Sequence, residues 1–157
     1  MAMPPIQFDR ASGALQGANL WERTAALALA TGSKISSHFS HRGYNMCANL
    51  LRRTLPERDI DIRLNADASF AFPYGDGYWS KLLNRSFSYE NELELLFQHS
   101  ADVDYTLLDC GANYGYWSVL VSSKPFGAHR AIAIEPSGQN YPKLANNAAS
   151  TAIASRP

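Results

Sequence analysis

The sequence has little cysteine, no net charge and no long hydrophobic run. Two cysteines in 157 residues, Cys47 and Cys110, are too few for a disulfide framework and indicate a reducing compartment. The 14 basic and 14 acidic side chains cancel, so no positive field collects nucleic-acid phosphates. The richest apolar window, residues 25–30, is too short to cross a bilayer, and residues 1–10 do not have the pattern of a signal peptide. These absences predict a cytoplasmic protein with neither nucleic acid nor membrane as a partner.

What is present fits a folded α/β chain. Hydrophobic residues make up 46% of the sequence and charged residues 18%, which suits a globular domain of this length. Residues 1–100 have mixed character, with predicted helices, a hairpin and a further helix that leads into the second part. Residues 101–157 alternate strand and helix patterns. We therefore predict a domain boundary after residue 100.

In the first part, apolar spacing predicts a helix over about residues 18–30, with Gly32 as its cap and residues 31–34 as a linker-like stretch. A second helix is predicted over residues 44–54, with an apolar stripe formed by Met46, Cys47, Leu50 and Leu51. Residues 59–64 and 69–72 predict a hairpin. A third helix is predicted to begin at Ser88, with Tyr89, Leu93, Leu96 and Phe97 on one face.

The second part predicts two strands that each end in an acid. Residues 105–109 are typical of a buried parallel strand, residues 111–115 form a turn of mostly small residues, and a helix follows from Tyr116. Residues 131–135 predict the next strand, and residues 140–149 the next helix. This order is that of a strand–helix–strand unit with parallel strands.

The turn and the second acid predict a nucleoside-bearing cofactor. Small residues after a strand let the backbone approach a ligand, and the following helix points amide groups at it. Glu135 lies 20 residues after Gly115, the separation at which an acid can accept hydrogen bonds from ribose hydroxyls. Asn113 stands where a dinucleotide fingerprint has its middle glycine, and the charge of Asp109 repels a pyrophosphate but suits a cation. The pattern favours S-adenosylmethionine, with an NAD-binding oxidoreductase as the alternative.

The same residues resemble a known family. The stretch LLDCGANYGYWS (residues 107–118) resembles the first cofactor motif of the FkbM-type S-adenosylmethionine-dependent methyltransferases. IAIEP (residues 132–136), followed by NYPKL (140–144) and NN (146–147), is similar to the second motif. Residues 78–90, which end in the pair Tyr89 and Glu90, resemble the family's approach segment. The likeness covers about residues 75–157 and implies a Rossmann-like class I methyltransferase fold.

The resemblance also implies roles. Asp109 would lie near the ammonium group of the cofactor, and the backbone of Gly111, Ala112, Asn113 and Gly115 would hold its methionine end. Asn113 would hold the loop or contact the carboxylate. Glu135 would bind the ribose hydroxyls, and Pro136 would shape the adenine's edge. The implied reaction is O-methylation of a small-molecule or sugar hydroxyl, and no catalytic base is assigned.

The sequence stops after the second strand–helix unit, whereas the family's sheet has several more strands. We therefore expect the front half of a methyltransferase, truncated within its fold. Activity is expected of the parent family rather than of this chain alone, and the alternative is an inactive fragment or interaction module. The bare apolar edge of the strand at residues 105–109 predicts self-association.

Other candidate residues give weaker evidence for a functional site. His38 and His41 lack a third ligand at short spacing, so no metal site is predicted. Cys110 is interpreted as a small buried residue rather than a nucleophile. The aromatic residues Tyr74, Tyr78 and Trp79 either close over a substrate or pack against the hairpin, and the sequence leaves both open.

Overall fold

The structure, a computed structural model, describes residues 3–150; residues 1–2 and 151–157, which include the end of the predicted second domain, lie outside the described residues. Six strands and five α-helices occur among the described residues: β1 (Ile6–Asp9), β2 (Leu15–Gln16), α1 (Leu20–Ser36), α2 (Tyr44–Arg52), β3 (Asp59–Arg63), β4 (Ser69–Pro73), α3 (Asn91–His99), β5 (Thr106–Cys110), α4 (Tyr116–Val121), β6 (Arg130–Ile134) and α5 (Tyr141–Ser150). The α/β class is confirmed. None of the helices described is long and apolar enough to span a bilayer.

The strands form two sheets, and the chain divides into two compact units. One sheet has the order β2-β1-β3-β4, and the other pairs β5 with β6 in parallel. The first unit contains the described residues up to Ile62 together with Phe72–Tyr89. The second contains Arg63–Ala71 and the described residues from Glu90 onwards. The predicted boundary after residue 100, which rests on sequence character, stays a prediction.

The core of the first unit follows the alternation read from the sequence. Ile60 and Ile62 of β3 are fully buried, whereas the neighbouring Asp59 and Asp61 are half-buried. The predicted hairpin is confirmed as β3 and β4, adjacent in the sheet. Tyr74 and Trp79 are buried within this unit, with exposed fractions of 1% and 5%, so packing accounts for these two aromatic residues.

A buried ion pair fixes the start of α1. Asn19 and Glu22 form a capping box: the Glu22 amide donates to Asn19 Oδ1 (3.0 Å), and the Asn19 amide donates to Glu22 Oε2 (2.7 Å). Arg58 Nη2 also donates to Glu22 Oε2 (2.6 Å), and both side chains are almost fully buried. Arg58 further donates to the Gly17 carbonyl, and the Tyr74 hydroxyl donates to the Glu22 carbonyl. One charged pair thus connects the helix, the segment before it and the sheet.

The predicted end of the first helix was wrong. The helix α1 continues to Ser36, and Gly32 lies inside it instead of capping it. A Cβ atom at Gly32 would stand in ordinary contact with the Tyr44 ring, 3.7 Å away, and Ser33 is fully buried. Packing of this last stretch against α2 and the 3₁₀ helix Trp79–Leu83 outweighs the low helix propensity of glycine.

The second helix was predicted correctly in position but wrongly in its buried face. Met46 and Leu50 are exposed, as is Cys47, whereas Tyr44 and Ala48 are buried. The Tyr44 hydroxyl donates to the Leu29 carbonyl of α1 (3.2 Å), so the face that carries Tyr44 and Ala48 is turned inward. The large aromatic ring decides the orientation of this helix.

The third helix begins later than predicted. It starts at Asn91 and not at Ser88, because Glu90 has a left-handed backbone (φ 49°) that no α-helix accommodates. Tyr89 instead packs against the ring of Trp79, and its hydroxyl lies 2.9 Å from that of Tyr78. The predicted apolar face of the helix is open to solvent at Leu93 and Leu96.

In the second unit, β5 and β6 are parallel, as predicted. Their register pairs Leu108 with Ile132 and Cys110 with Ile134. The prediction of a buried strand was wrong: Leu108 is 58% exposed and Ile134 50%. Among the described residues, the opposite face of the strand pair, which carries Asp109 and Ala133, is half-buried, and α4 contacts both strands.

We expect the buried ion pair to be essential for the stability of the first unit. Arg58→Met should lower the free energy of unfolding by about 3–5 kcal/mol, because Glu22 is then left as an uncompensated buried charge. Arg53→Met is the matched control, since Arg53 is an exposed arginine of the same unit, and it should change stability by about 0.5 kcal/mol or less. Urea unfolding measures both, and equal effects would contradict the assigned role.

We also expect loss of stability in alkali. Burial raises the pKa of Tyr44 and of Tyr74, with smaller contributions from Asp76 and Glu22 respectively. Both phenols stay neutral in the folded chain but ionise near pH 10 when it unfolds. Their contribution is therefore complete below about pH 10 and declines as the pH rises further. Urea unfolding between pH 8 and 11 should show this decline, and Tyr74→Phe should make it shallower; an unchanged slope would be contrary evidence.

Candidate functional site

The predicted cofactor loop lies at the carboxyl ends of β5 and β6. The amides of Gly111 and Ala112 both donate to the Ile134 carbonyl, at 2.8 and 3.1 Å. The last residue of β6 therefore holds the first two residues of the loop. Because the strands are parallel and in register, Glu135 leaves β6 at the same edge. Thus the strand ends bring together the two parts of the sequence that carry the predicted site.

The Glu135 carboxylate is fixed against this loop. Its Oε2 accepts a hydrogen bond from the Asn113 amide (2.8 Å), and its Oε1 accepts one from the Ser137 amide (2.8 Å). The Asn140 side-chain amide also donates to Oε1 at 3.5 Å, so the acceptor capacity left for a ligand hydroxyl lies chiefly on Oε2. The carboxylate is half-buried and oriented without needing a ligand.

Asp109 is oriented by a residue of the following helix. The Ser118 hydroxyl of α4 donates to Asp109 Oδ2 at 2.6 Å, and Ser118 is buried. Ser118 was not among the predicted site residues, although it closes the motif at residues 107–118. Its position one turn into the helix after Gly115 is the sequence signal that could have found it.

Three loop residues have left-handed backbones: Gly111 (φ 80°), Asn113 (φ 53°) and Gly115 (φ 86°). A Cβ atom at Gly111 would meet nothing within 4 Å, so the space in front of this residue is open. A Cβ atom at Gly115 would lie 2.5 Å from Leu144 Cδ1, so this glycine permits close packing of α5. The two glycines thus have different roles, access at Gly111 and packing at Gly115.

The other predicted residues of the loop occupy distinct environments. Ala112 is buried and Pro136 is exposed. Asn113 Oδ1 accepts from the Tyr114 amide (2.8 Å), which holds the loop in its turn. Cys110 is exposed, so its interpretation as a buried residue was wrong; it lies on the uncovered face of the strand pair, opposite Ile134. In the part of the chain that is described, no group of His, Cys, Asp and Glu could hold a metal ion.

Two side chains outside the predicted set support the site. Asn147 of α5 is 1% exposed and is bonded to two backbone segments: its side-chain amide donates to the carbonyls of Tyr114 (2.8 Å) and Ala71 (3.0 Å), and its side-chain carbonyl accepts from the Ala71 amide (2.9 Å). The Trp117 indole donates to Glu90 Oε2 (2.8 Å), which connects α4 to the start of α3. Trp117 lies within residues 107–118, and Asn147 within residues 146–147.

No protein-family model, curated protein or solved structure matches this chain.

We expect Asn147 to stabilise the second unit through its hydrogen bonds to Ala71 and Tyr114. Asn147→Leu should lower the free energy of unfolding by about 2–4 kcal/mol, because backbone groups of Ala71 and Tyr114 lose their partners. The adjacent Asn146 is exposed, and Asn146→Leu is the matched control with an expected change of about 0.5 kcal/mol or less. Thermal unfolding compares the two, and a similar loss in both would show that the bonds of Asn147 are not the cause.

Proposed function

We propose that the loop at residues 111–115 and Glu135 bind S-adenosylmethionine, and that the chain derives from an FkbM-type methyltransferase that methylates a hydroxyl. The observation that carries the proposal is the position of the Glu135 carboxylate. It is bonded to the Asn113 amide, beside a loop whose first glycine faces open space. A carboxylate at the tip of the second strand, next to a glycine loop after the first, is how α/β folds hold a nucleoside.

The charge at the loop favours a sulfonium cofactor over a dinucleotide. Asp109 is an acid directly before the loop, and it would attract the ammonium group of the methionine end but repel a pyrophosphate. A pyrophosphate also needs backbone amides as donors. Here the Asn113 amide donates to Glu135 and the Tyr114 amide donates to Asn113 Oδ1, and the other three amides of residues 111–115 donate to backbone carbonyls, so all five already have acceptors. This arrangement disfavours the NAD alternative.

The residues have separate tasks in this proposal. Glu135 accepts hydrogen bonds from the ribose hydroxyls, and the backbone at Gly111 allows the methionine end to approach. Asp109 orients the ammonium group, and Ser118 orients Asp109. Pro136, exposed after Glu135, borders the adenine.

When bound, the cofactor supplies an electrophilic methyl group. Held by Glu135 and the loop, it would provide this methyl group for transfer to the acceptor oxygen, with S-adenosylhomocysteine as the leaving group and a base to take the acceptor proton. The acceptor is a hydroxyl of a small molecule or glycan. None of the described residues is assigned as the base, so the proposal for this chain itself is cofactor binding.

Calorimetric titration with S-adenosylhomocysteine tests cofactor binding. We expect micromolar affinity for the chain, lost in Asp109→Ala and Glu135→Ala. Gly111→Ala should abolish binding, because the added methyl group enters the open space in front of the loop. Gly43→Ala is its matched control: Gly43 has a similar φ of 78° and nothing within 4 Å of its Cβ position, so both variants have the same backbone cost of about 1–2 kcal/mol.

Each result separates the proposal from its alternatives. Absence of heat from a folded sample would contradict cofactor binding and favour an inactive fragment or interaction module. Binding of NAD in place of S-adenosylhomocysteine would favour the oxidoreductase alternative. Equal loss in Gly111→Ala and Gly43→Ala would attribute the effect to folding and not to the site.

A further inference from the structure

The first unit contains a second candidate site, independent of the cofactor loop. It is an open cleft of about 580 Å³. Three stretches form its walls: the turn after β1, the second half of α1 and the segment that follows the 3₁₀ helix Trp79–Leu83. The volume lies in the range of small-molecule sites.

The cleft concentrates positive charge. Arg10, Lys34 and Arg85 line it, and none of the described residues that line it is acidic. The chain as a whole has equal numbers of basic and acidic side chains, so this local excess is a property of the cleft. Grouped charges of one sign in a concave surface raise the local concentration of ligands of opposite charge.

The two arginines are held in place by each other's backbone. Arg10 Nη2 donates to the carbonyls of Arg85 (3.2 Å) and Phe87 (2.5 Å). Arg85 Nε donates to the Arg10 carbonyl (2.8 Å), and its Nη2 donates to the Ala11 carbonyl. These reciprocal bonds fix both guanidinium groups in the wall, so an anion would meet charges that are already oriented.

Two cationic groups at the cleft, one on Arg85 and one on Lys34, have donors without an acceptor among the described residues. Arg85 Nη1 makes no hydrogen bond to any described residue, and the Lys34 ammonium makes no ion pair within residues 3–150. The hydroxyl-bearing residues Thr31 and Ser86 also line the cleft. A guanidinium, an ammonium and hydroxyl groups together match a tetrahedral oxyanion with several acceptor oxygens.

We propose that this cleft binds the phosphate group of a small phosphorylated molecule. Arg85 and Lys34 hold the phosphate oxygens, and Arg10 contributes charge while keeping the segment at residues 85–87 in place. The volume exceeds that of a lone phosphate, so the rest of the ligand occupies the remainder.

The test is a titration of the ¹⁵N-labelled chain with inorganic phosphate, followed by amide chemical shifts. We expect saturable shifts at Thr31, Asn84 and Ser86, with smaller shifts elsewhere. Lys34→Gln should weaken phosphate binding about twofold to fivefold, the effect of one partly exposed charge, and Lys34→Glu should weaken it further. Lys124→Gln, at a lysine whose side chain is 83% exposed in the second unit, should leave it unchanged.

Further titrations determine which part of the ligand the cleft binds. A hexose phosphate should bind more tightly than inorganic phosphate, and the free hexose should not bind. Gly111→Ala should leave phosphate binding intact, since the cofactor loop is a separate site. Identical shifts with potassium chloride at the same ionic strength would overturn the proposal, as would shifts centred on residues 111–115 or equal binding by Lys34→Glu. Any of these would leave the reciprocal arginine bonds with a structural role only.

Discussion

The first unit depends on the ion pair between Glu22 and Arg58. Two charges are almost completely removed from water there, which costs several kcal/mol for each ion, and the attraction between them offsets that cost. The pair also fixes the chain path: Glu22 closes the capping box of α1, and Arg58 reaches the carbonyls of Pro4 and Gly17. Glu22 Oε1 and Arg58 Nε are buried and have no hydrogen-bond partner within residues 3–150. We infer that this ion pair contributes more to the choice of one packing arrangement than to the free energy of unfolding.

Elements whose pattern is local were predictable from the sequence. The alternation in β3 and β4 and the apolar runs of β5 and β6 set these strands within one or two residues. The same holds for α4 and α5, which follow the turn at residues 111–115 and Pro136. In the candidate site, the spacing between Gly115 and Glu135 predicted that loop and acid meet at one sheet edge, and the hydrogen bond between Asn113 and Glu135 is consistent with it.

What could not be predicted depends on partners distant in the sequence. The continuation of α1 beyond Gly32 requires packing against the Tyr44 ring. Because that ring is buried, the opposite face of α2, with Met46 and Leu50, is exposed. In the site, the sequence placed Asn147 in a motif but did not predict its supporting role, because its partner Ala71 lies 76 residues away. The exposure of Leu108 and Ile134 likewise depends on which elements cover the sheet of β5 and β6. The spacing of apolar residues along a strand does not show which elements cover it.

The hydrogen bonds from Gly111 and Ala112 to Ile134 make the cofactor loop part of the strand pair. The loop can hold its shape only in molecules in which β5 and β6 are docked. A two-stranded sheet is marginally stable by itself, so the docked population sets how much of an intrinsic affinity is observed. Mutations that loosen the strand pair far from any ligand would therefore weaken binding in proportion to the undocked fraction, and added ligand would in turn protect these strands from hydrogen exchange.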